Sequence, residues 1–538
     1  MRIRKIAAMS EMNIDASKAE GLSKYRTISG KLRLLTIGIP AISLFVGIVG
    51  VFHIRPFGWV MMDIAYLYLL AALFLPLCFI WIPPHKHSNK KRVPWYDFLL
   101  AFMSMVIPFY FFLETPSIIQ SWVVPSIAPK QALIFSVIFW GIAIEAARRA
   151  VGGIFAVLLL FFSTYPLFGA YMPGVFYAKN FPWDRVALFH ALGFDSFVGI
   201  PLHVFGRLFF GYMTFAIALQ ACGIGDFFKK IAIALLGRTR GGNAKVAILA
   251  SGLFGSISGH PGANIFATGS FTIPAMKKEG FSPEFAGAVE ATASTGGSLM
   301  PPVMGAVAFI MAEFLEMSYA TICVAAAVPS ILYYLCLFAQ IDAHAAKLSL
   351  VPTNVSVDVP PVKKILWDNI HILVGFIVLF YFLFYFRLES WAPWMASLAT
   401  FALAMLRKHS RLSLSGFLLF LEDLGKTLGQ MMAIMGPVGM IIGSFILTGI
   451  AFSLPHGLVA IAGGNVFLLL LMGAFAAFIL GMGVSVSACY IFLAITLAPG
   501  LEMAGLNKLY VCFILWTLVQ YYAACRPVRI HCRNCFWW

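Results

Sequence analysis

The chain has 538 residues, of which 61% are hydrophobic, 15% aromatic and only 11% charged, and its mean hydropathy is +0.89. These values lie outside the range of water-soluble globular proteins and exclude a soluble enzyme. The formal net charge is +16, but Lys and Arg occur in short runs between apolar stretches, which indicates membrane topology rather than a nucleic-acid-binding surface.

Apolar stretches of roughly 20 residues, the length that crosses a bilayer as a helix, recur from Leu34 almost to Leu518. The near absence of alternating strand patterns argues against a membrane β-barrel. Six of the nine cysteines lie singly in apolar segments, so no disulfide framework is predicted. The sequence therefore predicts an all-α polytopic membrane protein.

Residues 1–33 form a basic arm with eight Lys and Arg side chains. The positive-inside rule places this arm in the cytoplasm, and its polarity argues against a cleaved signal peptide. Membrane spans are predicted near residues 34–51, 57–82, 98–112, 132–146, 152–171 and 197–221. Residues 34–171 contain no hydroxyl-rich break, so we expect residues 34–196 to be a scaffold that anchors a moving part.

The segment between Lys245 and Lys277 departs from this pattern. It is long enough to cross the membrane once, yet both of its ends are basic and are predicted to be cytoplasmic. Its middle, residues 255–264, is rich in Gly, Ser and Pro, as the tip of a re-entrant hairpin requires. The free backbone groups and hydroxyls of such a tip suit a hard cation such as sodium. The alternative is a Gly-rich kink packed against a neighbouring helix.

A second break follows at residues 291–302, which end in Pro301 and Pro302. Two consecutive prolines remove two backbone donors and disfavour a helix before them, so a discontinuous helix with an unwound centre is predicted. The half-helix that begins near Pro302 is expected to direct its positive dipole end at an anionic group such as a carboxylate.

The two breaks have counterparts 225 residues later. Pro274 and Gly280 correspond to Pro499 and Gly505, and the first tip corresponds to residues 480–489, which are also small and hydroxyl-rich. Lysines flank the first hairpin but hardly flank the second, which favours an inverted repeat. The predicted organisation is a first transport repeat at 197–341, a cytoplasmic linker at 342–366 and an incomplete second repeat at 367–524.

Five strings carry a resemblance to a known family: residues 237–245, 251–264, 268–274, 285–290 and 294–313. They resemble the large membrane component of tripartite ATP-independent periplasmic (TRAP) transporters, of the TAXI type in which the small and large membrane parts are fused. The resemblance covers roughly residues 57–519. It implies an elevator-type secondary transporter of the bacterial inner membrane, which receives an organic acid from a periplasmic binding protein and imports it with sodium ions, without a further cofactor. Residues 34–196 would be the small-subunit-like part, in contact with membrane lipid.

The resemblance also implies which residues bind. Sodium would be held at the first hairpin tip and the broken helix, by Ser256, Ser258, Asn264, Gly297 and Pro302. Substrate would lie between that tip, the broken helix and the second tip, at Ser294, Thr295, Gly296, Gly297, Pro301, Ser485 and Ser487.

Two departures from the family pattern concern the second repeat. Residues 481–487 lack the proline and one hydroxyl of the usual tip, which weakens a second cation site. Pro301 and Pro302 correspond to Arg526 and Pro527, in a basic, Cys-rich tail at 525–538 where a further broken helix is expected. We expect the chain from about Ala523 to be out of frame or truncated. A metal site at Cys525, His531, Cys532 and Cys535 is disfavoured because these residues lack a supporting fold.

Acidic residues within the apolar stretches allow a rival interpretation. Tyr96-Asp97 and Gly223–Asp226 mimic the motifs of intramembrane aspartyl proteases, in which two carboxylates share a proton. Both aspartates, however, are predicted at cytoplasmic helix ends as solvated charges or caps. Glu145 is expected to pair with Arg148 and Arg149. Glu290 is either interfacial or part of the transport site.

Overall fold

The computed structural model describes residues 25–55, 61–85, 88, 90, 92–122, 124–350, 360–407, 410–483 and 486–520. Most of the basic arm, the centre of the linker and the whole Cys-rich tail lie outside these residues. Within them the secondary structure is entirely helical. Seven helices are long and apolar enough to cross a membrane, and a bent helix pair provides an eighth span if it is counted as one. The chain is therefore an all-α polytopic membrane protein.

The scaffold contains six helices: α1 (Lys31–Val51), α2 (Asp63–Trp81), α3 (Trp95–Leu113), α4 (Lys130–Ala150), α5 (Gly153–Thr164) and α6 (Trp183–Leu192). Helix α2 lies at its centre, since its side chains from Ala65 to Trp81 are almost all buried. It is apolar on every face, as expected for a helix surrounded by other helices.

The first repeat contains seven helices: α7 (Ile200–Ala221), α8 (Ile224–Leu236), α9 (Gly242–Ser258), α10 (Pro261–Glu279), α11 (Pro283–Gly297), α12 (Ala306–Phe314) and α13 (Tyr319–Lys347). Helix α11 begins where the sequence provides a start signal: Ser282 accepts a hydrogen bond from the amide of Phe285, and Pro283 occupies the first turn. Helix α13 continues to Lys347, so the predicted linker at 342–366 starts later than expected.

The chain continues through α14 (Val362–Asp368), α15 (Ile370–Tyr385) and α16 (Ala392–Leu406) into the second repeat. After α15 and α16, the described part of that repeat continues with α17 (Leu414–Thr448), α18 (Ile450–Ile461), α19 (Val466–Gly483), α20 (Val486–Thr496), α21 (Ala498–Met503) and α22 (Lys508–Gln520). Helix α17 packs against both α2 and α7 and so joins the scaffold to both repeats.

The helix bounds of the described residues agree with the predicted offset of 225 residues. Shifting α8 to α11 by 225 gives 449–461, 467–483, 486–504 and 508–522. The observed helices α18, α19, α20 with α21, and α22 match these bounds within two residues. The two copies therefore share one order of elements; their opposite orientation in the membrane stays a prediction.

One charged cluster corrects an expectation. Asp97 is fully buried, and its two carboxylate oxygens lie 2.5 Å from Arg26 Nη2 and 2.7 Å from Arg149 Nη2. It does not cap α3. The prediction of a solvated terminal charge is wrong because the basic arm reaches into the scaffold, where Arg26 also donates to the backbone carbonyls of Phe79 and Ile80.

The same cluster argues against the protease interpretation. Each oxygen of Asp97 is held by an arginine, whereas Asp226 is exposed on α8. Such an arrangement does not provide two carboxylates that share a proton. The predicted pairing of Glu145 is confirmed, since its oxygens lie 2.7 Å from Arg148 Nε and 2.8 Å from Arg149 Nε.

Candidate substrate and cation site

Helices α9 and α10 form a hairpin whose tip contains Gly259. This residue ends α9 in the left-handed conformation, with φ +60°, and α10 starts at Pro261. The two helices then run side by side, as shown by the 2.9 Å hydrogen bond from Ser251 Oγ to Thr268 Oγ1. The chain turns back at the predicted tip, so the hairpin interpretation is confirmed and the simple kink is wrong.

The span that follows is discontinuous, as predicted. Helix α11 ends at Gly297, and residues 298–305 separate it from α12. The second half-helix begins at Ala306 rather than near Pro302, because the backbone from Ser298 to Gly305 folds on itself: the amide of Gly305 donates to the carbonyl of Ser298 over 2.9 Å. We call residues 298–305 the unwound segment.

The hairpin tip docks directly on the unwound segment. The amides of Val303 and Met304 both donate to the carbonyl of Ser256, over 3.0 and 3.2 Å. A Cβ at Gly259 would lie 2.1 Å from the carbonyl oxygen of Met304. Backbone contacts of this kind pair the free groups that both breaks leave unbonded.

Two glycines allow α9 and α11 to cross at backbone contact. A Cβ at Gly255 would lie 2.6 Å from Cα of Gly297, and a Cβ at Gly297 would lie 2.6 Å from Cα of Gly255. Any larger side chain at either position would force the helices apart. Small residues permit this close packing in membrane proteins, which explains the Gly-rich composition of both predicted breaks.

Most of the residues predicted to bind sodium lie around this crossing. The Asn264 side chain donates to the carbonyl of Ser251 over 2.7 Å and lies 3.5 Å from that of Ser294. The hydroxyl of Ser258, near the tip, is buried without a hydrogen-bond partner. The carbonyl of Pro302 instead accepts from the hydroxyl of Tyr319 on α13, over 3.0 Å.

The residues predicted to bind substrate have different surroundings. Ser294 and Thr295 are buried in α11, and Pro301 is half-buried in the unwound segment. Gly296 faces α13, because a Cβ there would lie 2.2 Å from the ring of Tyr333. Ser487 is half-buried at the start of α20, and Ser485 lies outside the described residues.

A buried carboxyl group lies between α11 and the two helices of the hairpin. Glu290 is fully buried within the protein, in α11. Its position relative to the membrane surface stays a prediction. Its oxygens accept hydrogen bonds from four hydroxyl groups, those of Ser251, Thr268, Thr272 and Ser294, at 2.5–3.1 Å. The strings around residues 251, 268 and 290 suggested the family, but nothing in them indicated that their hydroxyls meet at one carboxyl.

The second repeat contributes a residue that the sequence analysis did not identify. Gln520 on α22 is 9% exposed, and its Nε2 donates to Ser298 Oγ in the unwound segment over 2.7 Å. Its Oε1 is buried and has no hydrogen-bond partner within the part of the chain that the structure describes. The 225-residue offset maps Thr295 onto Gln520, so the repeat itself contained the signal. Helix α20 also packs against α12, which brings both repeats together at the break.

Parts of this sequence are similar to those of known proteins. The family model described as the DctM component of tripartite ATP-independent periplasmic transporters matches residues 138–529. The C4-dicarboxylate TRAP transporter large permease protein DctM of Vibrio cholerae is 34% identical over 116 residues, 21% of this chain and 24% of its own. The protein of the same name from Rhodobacter capsulatus is 29% identical over 140 residues, 26% of this chain and 30% of its own.

The isethionate TRAP transporter permease protein DctMQ of Oleidesulfovibrio alaskensis is 33% identical over 127 residues, 23% of this chain and 19% of its own. The matched segments thus cover less than a third of each of these three relatives. The family match, in contrast, extends over 392 of the 538 residues, from within α4 to beyond α22. It includes the hairpin, the unwound segment and both repeats. The chain belongs to the DctM component family of tripartite ATP-independent periplasmic transporters.

Proposed function

We propose that the chain is the permease of a secondary transporter that imports an organic anion together with sodium ions. The observation that carries this proposal is the docking of an interrupted helical hairpin on an unwound segment, with a buried amide of the second repeat at the same place. Interrupted helices that meet in this way are the binding sites of many secondary transporters. The proposed mode of movement is of the elevator type.

The class of substrate is proposed from the relatives. Two of them are named for C4-dicarboxylates and one for isethionate, so an anion with a carboxylate or sulfonate group is expected. A C4-dicarboxylate is our first choice. The remaining parts of the proposal are a periplasmic binding protein as donor, a TAXI-type chain with a fused small-subunit-like part at 34–196, and an inner-membrane location with a cytoplasmic N-terminus.

Transport into liposomes tests the proposal. The purified chain is reconstituted, and uptake of labelled succinate or isethionate is measured with and without a sodium gradient and the cognate binding protein. We expect uptake only when both are present. Uptake that needs neither of them contradicts the proposed mechanism, and uptake of neither probe contradicts the proposed substrate class.

The Ser258→Ala variant tests the cation site. The Ser258 hydroxyl has no hydrogen-bond partner among the described residues, so its removal is expected to leave the thermal stability unchanged. Loss of one ion ligand worth about 1.4 kcal/mol raises the sodium concentration for half-maximal uptake about tenfold. Ser270→Ala is the matched control, since Ser270 is exposed on α10 and bonds only to its own helix. An unchanged sodium dependence in Ser258→Ala excludes this residue from the site.

The Gln520→Leu variant tests the contribution of the second repeat. Leucine keeps the side-chain volume but removes the amide that the second repeat places at the unwound segment. Loss of one hydrogen bond, about 1 kcal/mol, is expected to raise the substrate concentration for half-maximal uptake about five- to tenfold. Thr517→Val on the same helix is the control, because Thr517 is exposed and bonds only to the carbonyl of Phe513. Equal values for the two variants would show that Gln520 does not contact the substrate.

A further inference from the structure

The two fully buried carboxyl groups of the described chain, Asp97 and Glu290, have opposite surroundings. Asp97 is held by two arginines, whereas Glu290 is surrounded by the hydroxyls of Ser251, Thr268, Thr272 and Ser294. Among the described residues, no Lys, Arg or His forms an ion pair with Glu290. A carboxylate without a cation is costly in the membrane interior, so a group in this position is either neutral or has an ion beside it.

Charged and titratable groups on the neighbouring helices do not supply that cation. On α13, Asp342 lies 2.6 Å from Arg240 and from Lys245 of α9, which pairs these charges with one another. The closest titratable side chain on α13 is Tyr334, whose hydroxyl donates to the carbonyl of Ala293 over 2.8 Å. The other charged or titratable groups of α10 and α11 lie towards the helix ends: Lys277, Lys278, Glu279 and Glu284. Those of α13 are Tyr319, Cys323, Tyr333, Cys336, His344 and Lys347, and the Tyr333 hydroxyl donates to the carbonyl of Thr292 over 2.8 Å.

The space around Glu290 suits a proton better than a metal ion. A metal ion would have to lie between the carboxylate and the hydroxyls, but these oxygens are already at hydrogen-bond distances of 2.5–3.1 Å. The backbone of α10 also lies close to the Glu290 side chain, because a Cβ at Gly269 would lie 3.1 Å from Cγ of Glu290. A proton on the carboxyl group requires no additional space.

The hydroxyls can satisfy both states of the carboxyl group. Thr272 Oγ1 lies 2.5 Å from Glu290 Oε2 and 3.0 Å from the carbonyl of Thr268. When Glu290 is ionised, Thr272 donates to the carboxylate. When Glu290 is protonated, it donates to Thr272, which turns its own hydrogen to the carbonyl. Thr268 has the same choice between Glu290 and the carbonyl of Asn264. A group of this kind accepts or releases a proton without movement of the helices.

We propose that Glu290 is a proton-binding site between α11 and the hairpin, and that it is protonated while the hairpin is docked on the unwound segment. The inference rests on the proposed function for its role: the proton taken up by the carboxylate would be a second coupling ion beside sodium. The reaction is a simple protonation, in which the carboxylate and one proton form the carboxylic acid. Release of the proton requires that water or a cation reaches the carboxyl group of Glu290 when the hairpin tip separates from the unwound segment.

Infrared spectroscopy of the purified chain in lipid tests the protonation itself. At pH 7 the wild type is expected to show a C=O band of a protonated carboxyl group that is lost in Glu290→Gln. The band should be the same with and without NaCl. Glu313→Gln is the matched control, because Glu313 lies at the end of the same broken span and is half-buried. The proposal is overturned if Glu290→Gln loses no band, or if NaCl abolishes the band in the wild type, since sodium then occupies the site.

A second pair of variants keeps the test valid if Glu290→Gln does not fold. Thr272→Val removes the hydroxyl beside Glu290 Oε2 and is expected to shift the frequency of the band. Thr292→Val is its control, since Thr292 lies on α11, the helix of Glu290, and among the described residues its hydroxyl donates to the carbonyl of Ala288. A shift in neither variant, or an equal shift in both, contradicts a protonated Glu290.

Uptake with the sodium gradient and the binding protein present is then compared in liposomes with and without an added inward proton gradient. Glu290→Gln is expected to lower the accumulation of labelled succinate at least tenfold, while exchange of succinate at equal pH on both sides persists. The infrared bands require no substrate and no binding protein. A chain with the band but without uptake would therefore refute the proposed transport function and leave the proton site standing.

Discussion

Gly259→Ala is expected to abolish uptake, with initial rates at least 100-fold below those of the wild type. Alanine in the left-handed conformation costs about 1–2 kcal/mol. Its Cβ would also lie 2.1 Å from the carbonyl oxygen of Met304, so the tip cannot stay on the unwound segment. Initial uptake of labelled succinate in liposomes, at equal amounts of inserted protein, is the measurement.

A control for Gly259→Ala distinguishes backbone strain from loss of the contact between the hairpin tip and the unwound segment. Gly449 also has a positive φ, +78°, but a Cβ there would have no atom within 4 Å. Gly449→Ala therefore has the strain without the clash, and we expect its uptake rate to remain within about threefold of the wild type. If Gly259→Ala transports as well as Gly449→Ala, the docked tip is not needed for transport.

Asp97→Asn is expected to lower the free energy of unfolding by about 3–5 kcal/mol. Loss of the charge leaves Arg26 buried beside a neutral amide, whereas Arg149 keeps its ion pair with Glu145. An uncompensated buried charge such as that of Arg26 has a cost of this size. The measurement is unfolding of the purified protein in detergent, by denaturant or heat, at a fixed pH. A secondary loss of uptake would follow only from reduced amounts of folded protein.

An exposed ion pair provides the comparison. Asp63 and Arg207 lie 2.7 Å apart, and their side chains are about half exposed. Asp63→Asn is expected to cost about 0–1 kcal/mol, the usual value for a solvated pair. If both aspartate variants lose the same stability, the basic arm does not hold the scaffold through Asp97.

Several features of the fold followed from residues close together in sequence. The length of each apolar run predicted where α1, α3 and α4 lie, because about 20 residues are needed to cross the bilayer whatever surrounds them. Gly259 and the Pro301-Pro302 pair marked the two breaks, since local backbone geometry decides where a helix ends. The offset of 225 residues, found from Pro274 and Pro499, also relates α8 to α11 of the first repeat to α18 to α22 of the second.

The charged residues were predicted less well. The sequence shows that Asp97 and Glu290 are acidic and how far each lies from a basic run, but it does not show what packs on them. Arg26 and Asp97 are 71 positions apart, and Thr268 and Glu290 are 22 apart. Helix packing places arginines beside Asp97 and hydroxyl groups beside Glu290. Short sequence patterns do not contain this information.

The sequence by itself thus determined the class of the protein, the positions of its helices and breaks, and its internal repeat, because hydrophobic length, Gly and Pro act locally. Only the tertiary structure decided which side chains share a site. Gln520 and Ser298 are separated by 222 residues and meet only because α22 packs beside the unwound segment. Contacts between distant helices depend on packing in three dimensions, and that packing sets the surroundings of Ser258, Glu290 and Gln520.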